Sequence, residues 1–216
     1  MKIKICGIKY QRDLESIIPL QPDYLGFIFY PKSARCMRQT LSTDDVKLVP
    51  KSIKKVGVFV NEDITELLKM IKSYQLDGIQ LHGDESPEYL SELQNILKDV
   101  HLKVEVIKAF GIDPAFDLQK LNDYKQYCNY FLFDTKTPKY GGSGLQFDWN
   151  LISDYDNELS LWMSGGMDVE DVKKLMSVVH LNMAVIDMNS KLETEPGVKD
   201  IVKVKKAIDE VRNQSK

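Results

Sequence analysis

The chain has 216 residues, enough for one domain with a sizeable core, and is 43% hydrophobic and 28% charged, as in ordinary globular proteins. A formal net charge of −3 leaves no basic field to recruit nucleic acid, so positive charge should be local and directed at a small anionic ligand. No apolar run is long enough to span a membrane, and the charge-interrupted stretch from Met1 to Cys6 makes no secretory signal, so a soluble, cytoplasmic protein without membrane partners is expected.

Strand-like runs rich in Val, Ile, Phe and Tyr occupy residues 2–8, 24–30, 54–60, 78–82, 104–110, 130–135, 159–164 and 183–188. Between them lie amphipathic stretches. Residues 63–73 place Ile64, Leu67, Leu68 and Ile71 at helical spacing, with Asn61 as a candidate cap. Residues 168–177 repeat the pattern through Val169, Val172, Leu175 and Met176, and 198–211 form a last helix. Eight strand–helix units of about 27 residues each predict an α/β protein, a closed parallel (β/α)8 TIM barrel forming one domain over 1–216. A doubly wound sheet would want a Gly-x-Gly-x-x-Gly turn after the first strand, where only Gly7 stands.

Cys6, Cys36 and Cys128 are odd in number and have no paired spacing, which predicts free thiols in a reducing compartment. No Cys/His cluster has zinc-ligand spacing, so no metal is expected.

Active sites of such barrels lie at the C-terminal ends of the strands, and strand side chains alternate between barrel interior and helix layer. On the first strand Ile3 and Ile5 share one parity, which sends Lys4 and Cys6 inward. On the sixth, Phe131 and Phe133 face outward, which sends Leu132 and Asp134 inward. Gln80 and His82 share a parity on the fourth, and the eighth ends in Asp187 and Asn189. Each has an ordinary explanation. A free Cys is usually a small buried hydrophobe, an Asp can cap a turn, and a His can sit satisfied at a rim. Their convergence on one end of one barrel is what points to a site.

Two glycine turns suit an anion: the segment through Gly141, Gly142 and Gly144 after the sixth strand, and Ser164-Gly165-Gly166 after the seventh. The second opens onto a helix N-terminus, whose dipole favours phosphate, whereas the first can equally be a lid. Lys32, Arg35 and Arg38 cluster after the second strand. Such clusters are mostly solvated, but an Arg at a barrel mouth can clamp a carboxylate bidentately.

The ordered segments Lys4-Ile5-Cys6-Gly7-Ile8, Gly26-Phe27-Ile28-Phe29-Tyr30-Pro31-Lys32-Ser33 with Arg35, and Val56-Gly57-Val58-Phe59-Val60-Asn61 resemble the phosphoribosylanthranilate isomerases of tryptophan biosynthesis. So do Gln80-Leu81-His82-Gly83, Phe133-Asp134-Thr135-Lys136 with Gly141-Gly142-Ser143-Gly144, Phe147-Asp148-Trp149 and Ser164-Gly165-Gly166. The resemblance implies a cofactor-free Amadori rearrangement of a phosphorylated aminoribose, with Asp134 as general acid and Cys6 as general base. It further implies Arg35 on the anthranilate carboxylate. Phosphate would be held by the glycine turns (Gly142, Gly144, Ser164, Gly165, Gly166) and by the segment after the eighth strand (Asn189, Ser190), and Asp187 and His82 would join the substrate site. A monomer or homodimer acting on a small phosphorylated molecule is the expectation.

Holding a thiol of pKa about 8.5 as thiolate at neutral pH costs about 2 kcal/mol, which a mouth lined with cations is expected to supply. Asp134 has to carry a proton to act as an acid, a state that burial or a neighbouring anion favours. Lys191 stands where the family has a glycine, which questions the backbone there; its ammonium is expected to contact phosphate instead, though a solvated loop lysine fits as well. Indole-glycerol-phosphate synthase would require a different lysine and glutamate constellation. A metal-dependent epimerase would need His and Asp ligands on several strands, and His101 and His180 fall off the strand ends. A catalytically silent barrel that binds a phosphorylated ligand and regulates something else is the rival from outside the enzymes.

Overall fold

In the computed structural model, the described residues are 1–137, 146–155, 158–178 and 182–214, with side chains omitted at 176–178. Eight parallel strands close on themselves in chain order: β1 (Lys2–Ile5), β2 (Tyr24–Ile28), β3 (Lys54–Phe59), β4 (Gly78–Leu81), β5 (Glu105–Ile112), β6 (Tyr130–Thr135), β7 (Leu161–Met163) and β8 (Met183–Met188). The closing seam pairs β1 with β8, aligning Lys4 with Asp187 and Ile5 with Met188.

Alternation along the strands builds two apolar layers. Outward side chains, among them Ile3, Ile5, Phe27, Phe29, Phe131 and Phe133, pack under the helices. Inward ones, including Tyr24, Val56, Ile107, Leu132, Trp162 and Val185, fill the barrel floor, where the Tyr24 and Trp162 ring centroids lie 4.8 Å apart. Fully burying such a side chain contributes about 1.5–3 kcal/mol, so the floor is a packed core and no channel.

The outer layer carries α1 (Gln11–Ile17), α2 (Thr43–Lys47), α3 (Ile64–Tyr74), α4 (Pro87–Asp99), α5 (Val169–Val178) and α6 (Ile201–Asn213). Strict strand–helix alternation does not hold throughout. Among the described residues, β5 is followed by 3₁₀ turns at Leu118–Asp123 and Lys125–Tyr127, and β6 by one at Trp149–Ile152. The first and last of these turns bury one anchoring residue each, Leu121 and Ile152, and Lys125–Tyr127 buries none, where a full helix would bury a stripe.

Two local expectations need correction. Asp63, not Asn61, caps α3, with Oδ1 accepting from the backbone N–H groups of Thr65 and Glu66 at 2.8 and 3.2 Å. Asn61 takes a left-handed turn (φ 49°), and its side-chain oxygen accepts from Asp84 N at 2.7 Å, tying the β3 end to the β4 end. Residues 198–199 are not helical: β10 (Val198–Lys199) pairs antiparallel with β9 (Glu193–Glu195), and α6 starts only after its Asp200 cap. That hairpin folds a carboxylate and a lysine back against the end of β8.

Candidate active site

Strand parity carries Cys6, Gln80, His82, Asp134 and Asp187 to one end of the barrel. With Ser164, Gly166, Asn189 and Ser190 they line a single cavity of about 680 Å³, counting its space open to solvent. Ile28 and Val58 form its apolar wall beside Cys6. A wider cleft adjoins it over the ends of β4–β6 and shares His82 and Asp134.

Cys6 is buried just past the end of β1, where its thiol meets the Lys4 ammonium. The room for both comes from Gly26 on β2: a Cβ there would stand 2.7 Å from Cys6 Sγ and 2.7 Å from Lys4 Cε. Lys4 is wholly buried and donates to Asp187 Oδ2 at 3.0 Å and to the side-chain oxygen of Gln80. Burial works against its charge, but Asp187 and Cys6 outweigh it and hold the ammonium above its usual range. Cations were expected to keep Cys6 ionised at neutral pH. Burial instead pushes the thiol up, and the pull of Lys4 only partly offsets it.

Asp134, next to last in β6, accepts from Thr135 N through Oδ1 at 2.8 Å, and its Oδ2 lies 3.2 Å from His82 Nε2. The loop holding His82 is tied down from below by Lys108, which donates to Glu85 Oε2 at 2.9 Å and to Gly83 O at 2.8 Å. Glu85 in turn accepts from Asn61 N at 2.8 Å and Gly83 N at 3.0 Å. Every member of this buried network is paired, which fixes the rim.

After β7 the chain turns through Gly165 (φ 102°) and Gly166 (φ 60°), and a Cβ on Gly165 would meet Thr135 Oγ1 at 2.7 Å. Only glycine fits that turn. The α5 N-terminus is not open to an anion as expected from sequence. Asp168 Oδ1 accepts from Glu170 N at 2.9 Å and Asp171 N at 3.1 Å, so a carboxylate of the chain itself occupies the helix end. Gly142 and Gly144 lie outside the described residues.

Arg35 does not line the cavity. Its Nε and Nη2 pair with Glu193, the shortest contact being 2.7 Å. Glu193 also accepts from Lys199 Nζ at 3.0 Å and Gly197 N at 3.2 Å, and Lys199 reaches Asn189 Oδ1 at 2.9 Å. Burial raises the Glu193 carboxyl, but Arg35 and Lys199 together hold it below the usual carboxylate range. Lys199 itself is pushed down by burial, against the pull of Glu193. Lys191 sits exposed in a 3₁₀ turn, Ser190–Leu192, outside the left-handed region, so the loop needs no glycine there.

Lys4, Gln80, Glu193 and Lys199 belong to the surroundings of this site and were not singled out as site residues from sequence. Inward parity was the available signal for Lys4 and Gln80. Nothing local marks Glu193 or Lys199, which depend on a hairpin.

The family model described as N-(5′-phosphoribosyl)anthranilate isomerase matches residues 3–210. The N-(5′-phosphoribosyl)anthranilate isomerase of Parabacteroides distasonis is 39% identical over 215 residues, covering 98% of this chain and 93% of the relative. The phosphoribosyl anthranilate isomerase structure from Thermotoga maritima superposes with a TM-score of 0.80 at 35% identity, covering 99% of each chain. Another such isomerase, solved in complex with reduced 1-(o-carboxyphenylamino)-1-deoxyribulose 5-phosphate, gives 0.79 at 31% identity, again over 99% of each chain. With the closed barrel beneath it, this likeness over nearly the whole chain settles the family: the protein belongs to the N-(5′-phosphoribosyl)anthranilate isomerases, TIM-barrel enzymes of tryptophan biosynthesis.

Proposed function

We propose that Asp134 and Cys6 divide the acid and base work of the rearrangement of N-(5′-phosphoribosyl)anthranilate to 1-(2-carboxyphenylamino)-1-deoxyribulose 5-phosphate. Asp134 protonates the ribose ring oxygen, the C1–O bond breaks, and the anilino nitrogen supplies the electrons for a protonated Schiff base. The Cys6 thiolate then removes the C2 proton, giving an enolamine that tautomerises to the ketone. The acid ends ionised and the base ends protonated, so one proton must pass back before the next turnover. No cofactor enters this scheme.

The observation that carries this reading is the cavity itself. Cys6 and Asp134 both line it, together with Ser164, Gly166, Asn189 and Ser190. An elongated substrate with phosphate at one end needs that arrangement, since effective acid–base catalysis requires both groups at the reacting carbons at once. Phosphate is assigned to the Ser164–Gly166 turn and the Asn189–Ser190 segment, joined by Gly142, Gly144 and the Lys191 ammonium. Asp187 and His82 face the sugar. Arg35 takes the anthranilate carboxylate through Nη1, because its contacts with Glu193 use Nε and Nη2. The 216 residues act as one barrel domain in the cytoplasm, on a small phosphorylated substrate and without nucleic acid, as a monomer or homodimer.

The test follows anthranilate fluorescence with freshly made substrate. Cys6→Ala and Asp134→Asn should each lower kcat by roughly 10²- to 10⁴-fold while the proteins stay folded. Full turnover in either variant refutes that residue's role. A barrel that only binds and regulates would show no turnover to lose.

A further inference from the structure

A directed chain of hydrogen bonds runs beneath the cavity from one proposed catalytic residue to the other. Lys4, next to Cys6 on the inner face of β1, donates to the side-chain oxygen of Gln80. Gln80 Nε2 lies 2.7 Å from His82 Nδ1. His82 Nε2 lies 3.2 Å from Asp134 Oδ2.

The chemistry of one end sets the direction of the whole chain. An ammonium has three donors and no acceptor. The group facing Lys4 must therefore be the amide oxygen of Gln80, which turns the amide NH₂ toward His82. A nitrogen facing NH₂ must accept, so Nδ1 of His82 is bare. A neutral imidazole then carries its proton on Nε2 and aims it at Asp134. Lys4 is 0% exposed and Gln80 1%, so a flipped amide would have no water to satisfy it. Asp187 holds the remaining side of the ammonium at 3.0 Å.

We propose that Lys4 and Gln80 are positioning residues that lock His82 in the Nε2–H tautomer, so that His82 donates to the Asp134 carboxylate formed when Asp134 gives up its proton. The hydrogen bond becomes charge-assisted at that moment, which favours ring opening over the resting state. The same ammonium borders Cys6, so one buried cation attends both ends of the reaction. The proposal rests on the acid role assigned to Asp134 above.

The tautomer can be read directly by NMR on protein with ¹⁵N-labelled histidine, with the His82 signals assigned by their loss in His82→Gln. At neutral pH the wild-type ring should show a protonated Nε2 and a bare Nδ1. Gln80→Met removes the amide and leaves the Lys4–Asp187 pair. It should mix the tautomers and lower kcat roughly tenfold with little change in KM, a part of the roughly 10²- to 10⁴-fold that acid–base catalysis contributes. A wild-type ring protonated on Nδ1, alone or together with Nε2, overturns the proposal, and so does wild-type kcat in Gln80→Met. Should Gln80→Met not fold, the wild-type spectrum still decides. If instead Asp134→Asn keeps full turnover, the acid assignment fails, and the spectrum alone then upholds or refutes the tautomer lock.

Discussion

A buried thiol is a costly base, and Cys6 shows how far one neighbour can offset that. Burial raises it, Lys4 lowers it, Asp187 raises it again, and the net direction is up. A base works deprotonated, so turnover should climb with pH, and the limb belonging to Cys6 should lie on the alkaline side of an ordinary thiol at about 8.5. The measurement is kcat/KM against pH for the wild type and Cys6→Ser. A thiol limb well below 8 would mean that charge outweighs burial at this residue. Glu193 shows the opposite balance: two cations more than cancel its burial, so its folded state ionises more readily than the unfolded chain. A depressed carboxylate stabilises the fold above its unfolded pKa of about 4.3 and loses that contribution as pH falls through the lower folded value. Glu193→Gln should therefore cost about 3 kcal/mol at neutral pH, since it leaves Arg35 and Lys199 facing each other with no counter-charge. The gap to wild type should narrow in acid. Denaturant unfolding at neutral and acid pH tests this, and a gap that stays constant contradicts it.

Elements were legible in the sequence where one strand or one helix decides the outcome. Alternation of Ile3 and Ile5 against Lys4 and Cys6, and of Phe131 and Phe133 against Asp134, gave the inward faces of β1 and β6 correctly, because strand parity is a local property. The 3₁₀ turns that stand after β5 and β6 among the described residues and the hairpin at 193–199 were not legible, since each depends on what the segment meets after folding, whereas the cap at Asp63 is local and was placed two residues too early. Arg35 is the clearest instance. Its cluster left a solvated loop or a carboxylate clamp open, and nothing near it in sequence pointed to Glu193, 158 residues away, as its partner in the fold. Gly26 belongs between these cases: its place in the family pattern was visible, but its reason is the crowding of two side chains from the neighbouring strand. Gly26→Ala should push Cys6 and Lys4 aside, lowering kcat more than it raises KM and costing about 1–3 kcal/mol through overpacking. Turnover and thermal unfolding of the variant check both halves. An unimpaired kcat would mean that β2 yields instead.

At the scale of the molecule, the acid–base site and the closure of the barrel share one ion pair. Lys4 and Asp187 are register partners across the β1–β8 seam, buried to 0% and 4% side-chain exposure. Taking two charges out of water is expensive, and such a pair stabilises little relative to apolar residues of the same volume. Removing one partner is different, because the other charge is then left uncompensated in the core. Lys4→Met alone should therefore destabilise the fold by about 3–5 kcal/mol, whereas Lys4→Met combined with Asp187→Leu should recover most of that loss. Activity should not recover with it. The double variant has a closed barrel but lacks the Lys4 ammonium beside Cys6, the anchor for the Gln80 amide and the carboxylate at Asp187. Urea unfolding and turnover measured on the three proteins (both single variants and the double) separate the two roles. If the double variant unfolds as easily as Lys4→Met, the pair is needed to close the barrel, and its burial would then reflect stability more than catalysis.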